Sequence, residues 1–138
     1  MEVITKSAEE TQKLGQKIGA SLVGGEILAL QGDLGSGKTT FIQGLAEGLG
    51  VKNRVNSPTF ILMRTYNLGE RDFYHVDLYR LEKNIESEIE NLGIPDIWGK
   101  EDNIVAIEWA EKIKNLLPEN TRWIKFKTLE NGDHEIIY

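Results

Sequence analysis

The stretch from Gly32 to Thr39 has the residue types and spacing of a loop that binds phosphates. It consists of a glycine, four further residues, a glycine, a lysine and a threonine, a pattern typical of nucleotide-binding proteins when it lies between a strand and a helix. Glycines let the backbone turn tightly so that its N–H groups face inward, and the positive N-terminal end of a following helix helps to hold phosphate oxygens. We call this segment the phosphate loop.

Two side chains of the phosphate loop, Lys38 and Thr39, have the most specific chemistry. A lysine at this position is suited to neutralise the β and γ phosphates, and a small hard hydroxyl beside it is suited to coordinate magnesium. The sequence therefore predicts a site for a nucleoside triphosphate and Mg²⁺, in preference to an ordinary glycine-rich turn with a surface lysine. The predicted nucleotide-binding residues in this region are Asp33, Leu34, Gly35, Ser36, Gly37, Lys38, Thr39 and Thr40.

Two acidic residues at predicted strand ends are candidates to complete the site. Glu108 follows the apolar run that begins at Asn103, and Asp77 ends the more amphipathic segment that begins at Phe73. Ligands bind outside the carboxyl ends of strands in open α/β sheets, where a carboxylate can coordinate magnesium or orient water. Strand spacing alone leaves a second interpretation open for both residues, namely a structural cap or an exposed charge.

Weaker signals surround these acids. Ser57 and Thr59 flank Pro58 after the second predicted helix, where many nucleotide hydrolases have a loop that senses the γ-phosphate, although a plain turn is the favoured interpretation of this segment alone. For His75 and Arg80 we expect local hydrogen bonds or ion pairs.

The motifs that the chain lacks also narrow the range of expected ligands. No asparagine is followed by lysine, so the motif that recognises guanine is absent and adenine is the expected base. Asp96 to Gly99 matches only a weak GTPase-like pattern that follows no convincing apolar strand. A small-molecule kinase normally has a mobile lid with several arginines, and no such lid is evident.

The phosphate loop is positioned by the elements on either side of it. Glu26 to Gln31 is a short apolar run typical of a strand buried on both faces. The apolar residues from Phe41 to Leu49 predict a helix that ends at Gly50, a residue type favoured in the left-handed cap. Ser7 begins an earlier amphipathic helix with the spacing of a capping box.

The remaining segments predict a mixed sheet with helices on its faces, in one α/β domain of the P-loop NTPase class that spans residues 1–138. The predicted elements are strands at Thr59 to Tyr66 and Asp72 to Tyr79 that pair as a hairpin, a helix around Ile85 to Leu92, a strand at Asn103 to Ile107, a helix at Ala110 to Leu117, and strands at Arg122 to Thr128 and His134 to Tyr138.

Composition excludes several classes of protein. The chain of 138 residues has no cysteine, which excludes disulfides and thiolate metal sites and favours a reducing cytoplasm. Sixteen basic and twenty-two acidic residues give a net charge of -6, which disfavours direct, tight binding to nucleic acid. The N-terminus lacks the apolar core of a secretion signal, and no stretch approaches the length of a membrane span, so we expect a soluble protein of the cytoplasm.

Four motifs in order resemble the TsaE (YjeE) family. They are Gly32 to Thr40, Ser57 to Phe60, Tyr74 to Arg80 and Ile107 to Trp109, and the resemblance covers roughly Ser7 to Trp109. It implies an ATPase that supports the synthesis of N6-threonylcarbamoyladenosine at position 37 of tRNA in complex with the TsaD and TsaB proteins, with TsaD as the transferase. The acidic composition agrees with a protein that binds partners more than tRNA.

The resemblance also implies roles for individual residues. Lys38 would hold phosphates, Thr39 and Glu108 would coordinate Mg²⁺, and Asp77 would assist hydrolysis as a base or a water-orienting group.

Further implied roles concern the edges of the site. Ser57 and Thr59 would form a switch-like loop, Thr11 would approach adenine and Trp109 would lie nearby, although a tryptophan here is more often a core residue. Ser36 stands where the family commonly has alanine, a change that should leave the backbone of the phosphate loop intact.

The predicted function is therefore a weak, magnesium-dependent ATPase. Low turnover is expected because no arginine is evidently placed at the γ-phosphate, and supply of such an arginine by a partner raises rates by roughly 10³ to 10⁵ in comparable systems. A small-molecule kinase and a binding module that uses ATP only as a structural ligand are the alternatives.

Overall fold

The computed structural model describes residues 1–52, 55 and 62–138. The predicted site residues Ser57 and Thr59, and the beginning of the strand predicted from Thr59, lie outside these residues. The helices and strands are β1 Glu2–Thr5, α1 Ala8–Ser21, β2 Ile27–Gln31, α2 Lys38–Leu49, β3 Met63–Asn67, β4 Asp72–Asp77, α3 Ile85–Asn91, β5 Asn103–Glu108, β6 Arg122–Thr128 and β7 His134–Ile137, with 3₁₀ helices at Ile94–Asp96 and Ala110–Ile113.

A seven-stranded mixed sheet forms the centre of the fold, in the order β1-β7-β6-β2-β5-β4-β3. β2 is parallel to both β5 and β6, and β5 is also parallel to β4, whereas the hairpins β3-β4 and β6-β7 and the pair β1-β7 are antiparallel. The predicted mixed α/β fold is confirmed. Since parallel strands end at the same edge, β2, β4 and β5 deliver their last residues to one side of the sheet.

The segments next to the phosphate loop form as their sequence predicts. Residues Ile27 to Leu30 of β2 are buried, as expected for a strand with a parallel neighbour on each side. The side chain of Ser7 accepts a hydrogen bond from the N–H of Glu10 at the start of α1, and Gly50 ends α2 with a left-handed φ of 97°. Because α2 begins at Lys38, the phosphate loop lies between a buried strand and the first turn of a buried helix.

The helix predicted from Ala110 to Leu117 is wrong in type and length. The structure has a 3₁₀ helix over Ala110–Ile113, which begins after Trp109 in the left-handed conformation with φ 60°, and the N–H of Leu116 then donates to the carbonyl of Ile113. The apolar residues here recur every third position, which fits the three-residue turn of a 3₁₀ helix better than an α-helix.

Strand β1 was absent from the elements predicted from sequence. It pairs with β7, with Glu2 opposite Ile137 and Thr5 opposite His134, so its conformation depends on a partner from the other end of the chain. Among the described residues, no helix is long and apolar enough to cross a membrane.

Candidate nucleotide-binding site

The phosphate loop has the backbone conformation that its glycines allow. Gly35 and Gly37 have φ values of 77° and 102°, a region that residues with a side chain rarely adopt. The N–H of Ser36 donates to the carbonyl of Asp33 at 3.1 Å, which closes the turn. Added Cβ atoms at Gly35 and Gly37 would meet no atom closer than 3.6 Å, so backbone conformation, rather than crowding, is the reason for glycine at these two positions.

Lys38 is buried at the centre of the site. Its ammonium group donates to the carbonyls of Gly32 and Asp33, the latter at 3.1 Å, and lies 3.8 Å from the centroid of the Trp109 ring. The side chain is thus held between the phosphate loop and the residue that follows β5.

The electrostatic environment of Lys38 combines two opposing effects. Burial lowers the pKa of its ammonium group below the ordinary value of 10.5. Nearby carboxylates oppose this shift, and they belong to Glu108, Glu111, Asp77 and Asp33. An anionic ligand at this position would reinforce the carboxylates and further stabilise the charged form.

Glu108 joins β5 to the first turn of α2. The hydroxyl of Thr39 donates to Glu108 Oε1 at 3.1 Å, and Glu108 Oε2 is 2.7 Å from His75 Nε2 in a buried contact. With Glu108 as a carboxylate, the imidazole donates through Nε2, and Nδ1 then has no hydrogen-bond partner among the described residues. Both carboxylate oxygens of Glu108 therefore have a hydrogen-bond partner. One partner is Thr39, a predicted magnesium ligand, and the other is His75 on the neighbouring strand β4.

Asp77 lies beside Glu108 because the two residues pair in register at the ends of β4 and β5. Asp77 is buried, and its Oδ1 accepts a hydrogen bond from the N–H of Tyr79 at 3.0 Å. The two candidate acids thus occur together, as their predicted positions at strand ends required.

A cleft of about 450 Å³ lies over these groups. Ten of its lining residues were predicted from the sequence: Leu34, Gly35, Ser36, Gly37, Lys38, Thr39, Thr40, Asp77, Glu108 and Trp109. Asp33 lies on the other side of the phosphate loop, in a second depression.

Thr11 lies beneath the phosphate loop and does not line the cleft. It is buried, its hydroxyl is 2.6 Å from that of Thr5, and its methyl carbon would be 3.6 Å from a Cβ placed on Gly37. The implied contact of Thr11 with adenine stays a prediction.

The donor groups fit Mg²⁺. This ion keeps several water molecules and is usually bound through one or two protein groups together with phosphate oxygens. Thr39 and Glu108 supply a hydroxyl and a carboxylate that already lie within hydrogen-bond distance. The described part of the chain has no cluster of three or more histidine, cysteine, aspartate or glutamate residues that could hold a metal by itself.

Comparison with known proteins identifies the family of a chain with this site. A model of the family described as "Threonylcarbamoyl adenosine biosynthesis protein TsaE" matches residues 5–136. The chain belongs to the TsaE family. This confirms the resemblance drawn from the four motifs, and the match extends beyond Trp109 to the β6-β7 hairpin.

Individual TsaE proteins agree with this assignment. The chain is 39% identical over 134 residues to the tRNA threonylcarbamoyladenosine biosynthesis protein TsaE of Bacillus subtilis (strain 168), covering 97% of this chain and 82% of that protein. It is 37% identical to the protein of the same name from Treponema pallidum (strain Nichols), covering 99% and 98% of the two chains. The solved structure "Crystal structure of Bacillus subtilus YdiB" matches with a TM-score of 0.80 and 32% identity, covering 99% of this chain and 82% of that one.

The structure of this TsaE-family chain adds residues that the sequence analysis did not place in the site. Ala8, Tyr79, Arg80 and His134 also line the cleft, and His75 contacts Glu108. Arg80 stands on the cleft wall three residues after Asp77, and the expectation that no arginine is placed at the γ-phosphate stays a prediction. His75 forms a hydrogen bond as expected, but the bond is not local: its partner is Glu108, a predicted magnesium ligand 33 residues away, which spacing along the sequence did not indicate.

Proposed function

We propose that this TsaE-family chain is a magnesium-dependent ATPase that acts in the synthesis of N6-threonylcarbamoyladenosine at position 37 of tRNA, in a complex with TsaD and TsaB. The main support is the convergence of Lys38, the Thr39-Glu108 pair and Asp77 on one cleft at the carboxyl edge of the sheet. Family membership supports the pathway. The partners follow from the family resemblance, and the acidic net charge agrees with weak direct contact with tRNA.

Each side chain has a role that follows from its position. Backbone N–H groups of the phosphate loop and the start of α2 hold phosphate oxygens, and Lys38 neutralises their charge. Thr39 and Glu108 hold Mg²⁺, which when bound offsets negative charge on the phosphate oxygens. His75 keeps Glu108 in the orientation that faces Thr39.

Asp77 is the proposed water-orienting group or base. The acid is buried at the edge of the cleft, and the N–H of Tyr79 restrains one of its oxygens. A restrained carboxylate can hold a water molecule in one orientation with little loss of entropy. Low turnover by the isolated chain remains our prediction, with partner binding as the expected activator.

The proposed location is the cytoplasm, where ATP and tRNA are both present. The lack of cysteine agrees with that reducing compartment.

The proposal is tested by phosphate release from ATP, measured with the chain alone and with purified TsaB and TsaD. We expect slow, magnesium-dependent release that the partners stimulate and that Lys38→Ala and Glu108→Ala abolish. Asp77→Asn should retain nucleotide binding and lose release. Glu101→Ala, which removes an exposed acid remote from the cleft, is the matched control and should behave like the wild type.

Two outcomes would overturn the ATPase proposal. ATP binding without release under any condition would favour a structural ligand. Transfer of phosphate to an added small molecule, with no release to water, would favour a kinase.

A further inference from the structure

Lys112 makes an unusual set of contacts behind the cleft. Its ammonium group donates to three main-chain carbonyls of the segment that follows β4, at 3.0 Å to Leu78, 2.8 Å to Tyr79 and 2.9 Å to Leu81. An ammonium group has three protons, so this arrangement can use all of them on one short stretch of backbone.

The two segments that Lys112 joins differ in exposure. Lys112 belongs to the Ala110–Ile113 3₁₀ helix, whose first and last residues are buried in the core beneath the sheet. The segment that it contacts begins at Leu78, which is buried and whose N–H donates to the carbonyl of Glu108 at 3.2 Å, and continues through Tyr79 and Arg80, which are exposed. Lys112 therefore ties the exposed part of this segment, around Tyr79 and Arg80, to the 3₁₀ helix.

The tied segment forms one wall of the cleft. Tyr79 and Arg80 both line it, and the carbonyls that Lys112 binds lie on both sides of Arg80. The N–H of Tyr79 donates to Asp77 Oδ1, so a shift of this backbone would move the restraint on the proposed water-orienting acid. The centroid of the Tyr79 ring also lies 5.2 Å from that of the Trp109 ring, and the Trp109 ring contacts Lys38.

We infer that Lys112 is a positioning residue: it fixes residues 78–81 against the end of β5 and thereby sets where Asp77 and Arg80 stand relative to the phosphate loop. Its contribution to hydrolysis rests on the proposed function, whereas its effect on the backbone does not. Phosphate binding should depend little on it, because Lys38 and Thr39 belong to α2.

The kinetic test compares Lys112→Met with the wild type. The variant keeps most of the length of the side chain, being shorter by one heavy atom, and removes the charge and all three donors. We expect kcat for ATP to fall by roughly tenfold to a hundredfold, in line with the cost of a displacement of about 1 Å in a catalytic group, and KM to change by less than about twofold. Lys112→Arg should recover part of kcat, since a guanidinium group can still donate to more than one carbonyl.

A second measurement needs no ATP hydrolysis. Amide hydrogen exchange in the nucleotide-free protein should become faster at Tyr79 and Leu81 in Lys112→Met, while amides of α2 keep their protection. Lys114→Met, an exposed lysine two residues further on, is the matched control and should change neither exchange nor kinetics.

The outcomes separate the inference from the proposed function. If the wild type fails to hydrolyse ATP, the proposed function is wrong, and hydrogen exchange still decides whether Lys112 holds the segment. Unchanged exchange in Lys112→Met overturns the inference even where the ATPase proposal holds. Faster exchange with an unchanged kcat overturns the positioning role. If Lys112→Met unfolds, Lys112→Arg serves as the test variant, and we expect it to have an intermediate kcat. A wild-type kcat together with wild-type hydrogen exchange in Lys112→Arg would count against the inference.

Discussion

At the residue scale, the phosphate loop contains two polar groups whose burial is unfavourable, the hydroxyl of Ser36 and the ammonium group of Lys38. Ser36 is 1% exposed, and its Oγ has no hydrogen-bond partner among the described residues. Lys38 is 5% exposed and carries a charge whose burial is unfavourable. A buried polar group without a full set of hydrogen-bond partners reduces the stability of the folded state. Each of these two groups should therefore have a measurable effect on the free energy of unfolding.

Ser36→Ala should leave the protein as stable or slightly more stable. Removing the hydroxyl removes a buried polar group without a partner, and we expect the free energy of unfolding in urea to rise by up to about 1 kcal/mol. Ser7→Ala is the contrasting control, because it removes an N-cap hydrogen bond and should lower stability by about 1 kcal/mol. If Ser36→Ala lowered the free energy of unfolding by more than about 1 kcal/mol, the hydroxyl would have a hydrogen-bond partner.

The lowered pKa of Lys38 predicts a pH dependence of stability. Between its folded-state pKa and the unfolded value of 10.5, the unfolded chain binds more protons at this group, so the group makes unfolding less favourable as pH rises. The unfolding free energy of the wild type should therefore increase relative to that of Lys38→Met as pH is raised from 7 toward that value. Urea unfolding of both proteins at a series of pH values checks this, and a constant difference would contradict it.

At the scale of elements, glycines hold α1 against α2. A Cβ at Gly15 or Gly19 of α1, or at Gly44 or Gly48 of α2, would overlap a backbone carbonyl oxygen of the other helix. The two helices therefore pack backbone to backbone on one face of the sheet. Since α2 begins at Lys38, this packing also fixes the end of the helix that holds the phosphate loop.

Gly44→Ala should destabilise the protein although it improves helix propensity. Alanine in place of glycine favours an isolated helix by about 1 kcal/mol, but the new methyl group would overlap the carbonyl of Gln12. We expect a net fall in the free energy of unfolding of about 1 to 3 kcal/mol, measured by urea denaturation. Lys17→Ala on the exposed side of α1 is the control, with an expected change within about 0.5 kcal/mol; a stabilised Gly44→Ala would show that the helices are not in close contact.

The register of β4 and β5 is the second decisive property at this scale. Asp77 is opposite Glu108, and His75 is opposite Ala106. Because side chains alternate along a strand, a slip of one residue would turn either acid away from its partner. The site therefore depends on strand pairing as much as on residue identity.

At the scale of the whole molecule, the phosphate loop, Asp77 and the segment from Glu108 to Lys112 are three separate stretches of chain that meet at one edge of the sheet. A ligand held by several of them should stabilise the folded state as a unit, because it binds the folded chain and not the unfolded one.

Magnesium and ATP together should raise the melting temperature. A ligand at about one hundred times its dissociation constant adds roughly 2.7 kcal/mol to the free energy of unfolding. We expect this shift with wild-type protein by differential scanning fluorimetry, a smaller one with ATP and a chelator, and none with Lys38→Ala. An equal shift in Lys38→Ala would mean that ATP binds elsewhere.

The sequence by itself determined the phosphate loop, the buried strand before it and the helix after it. Glycine spacing, a short apolar run and a cap are local signals, whose physical basis lies within a few neighbouring residues. It also placed Asp77 and Glu108 at strand ends, and the ordered motifs were enough to identify the TsaE family.

Only the tertiary structure decided which of these residues meet. Residues distant in sequence meet in the contact of His75 with Glu108, in the three hydrogen bonds of Lys112 and in the glycine contacts of α1 with α2. The place of Arg80 in the cleft wall likewise follows from the fold. The edge strand β1 also depends on pairing with β7. Strand register and helix separation are set by long-range packing, for which local composition carries no signal.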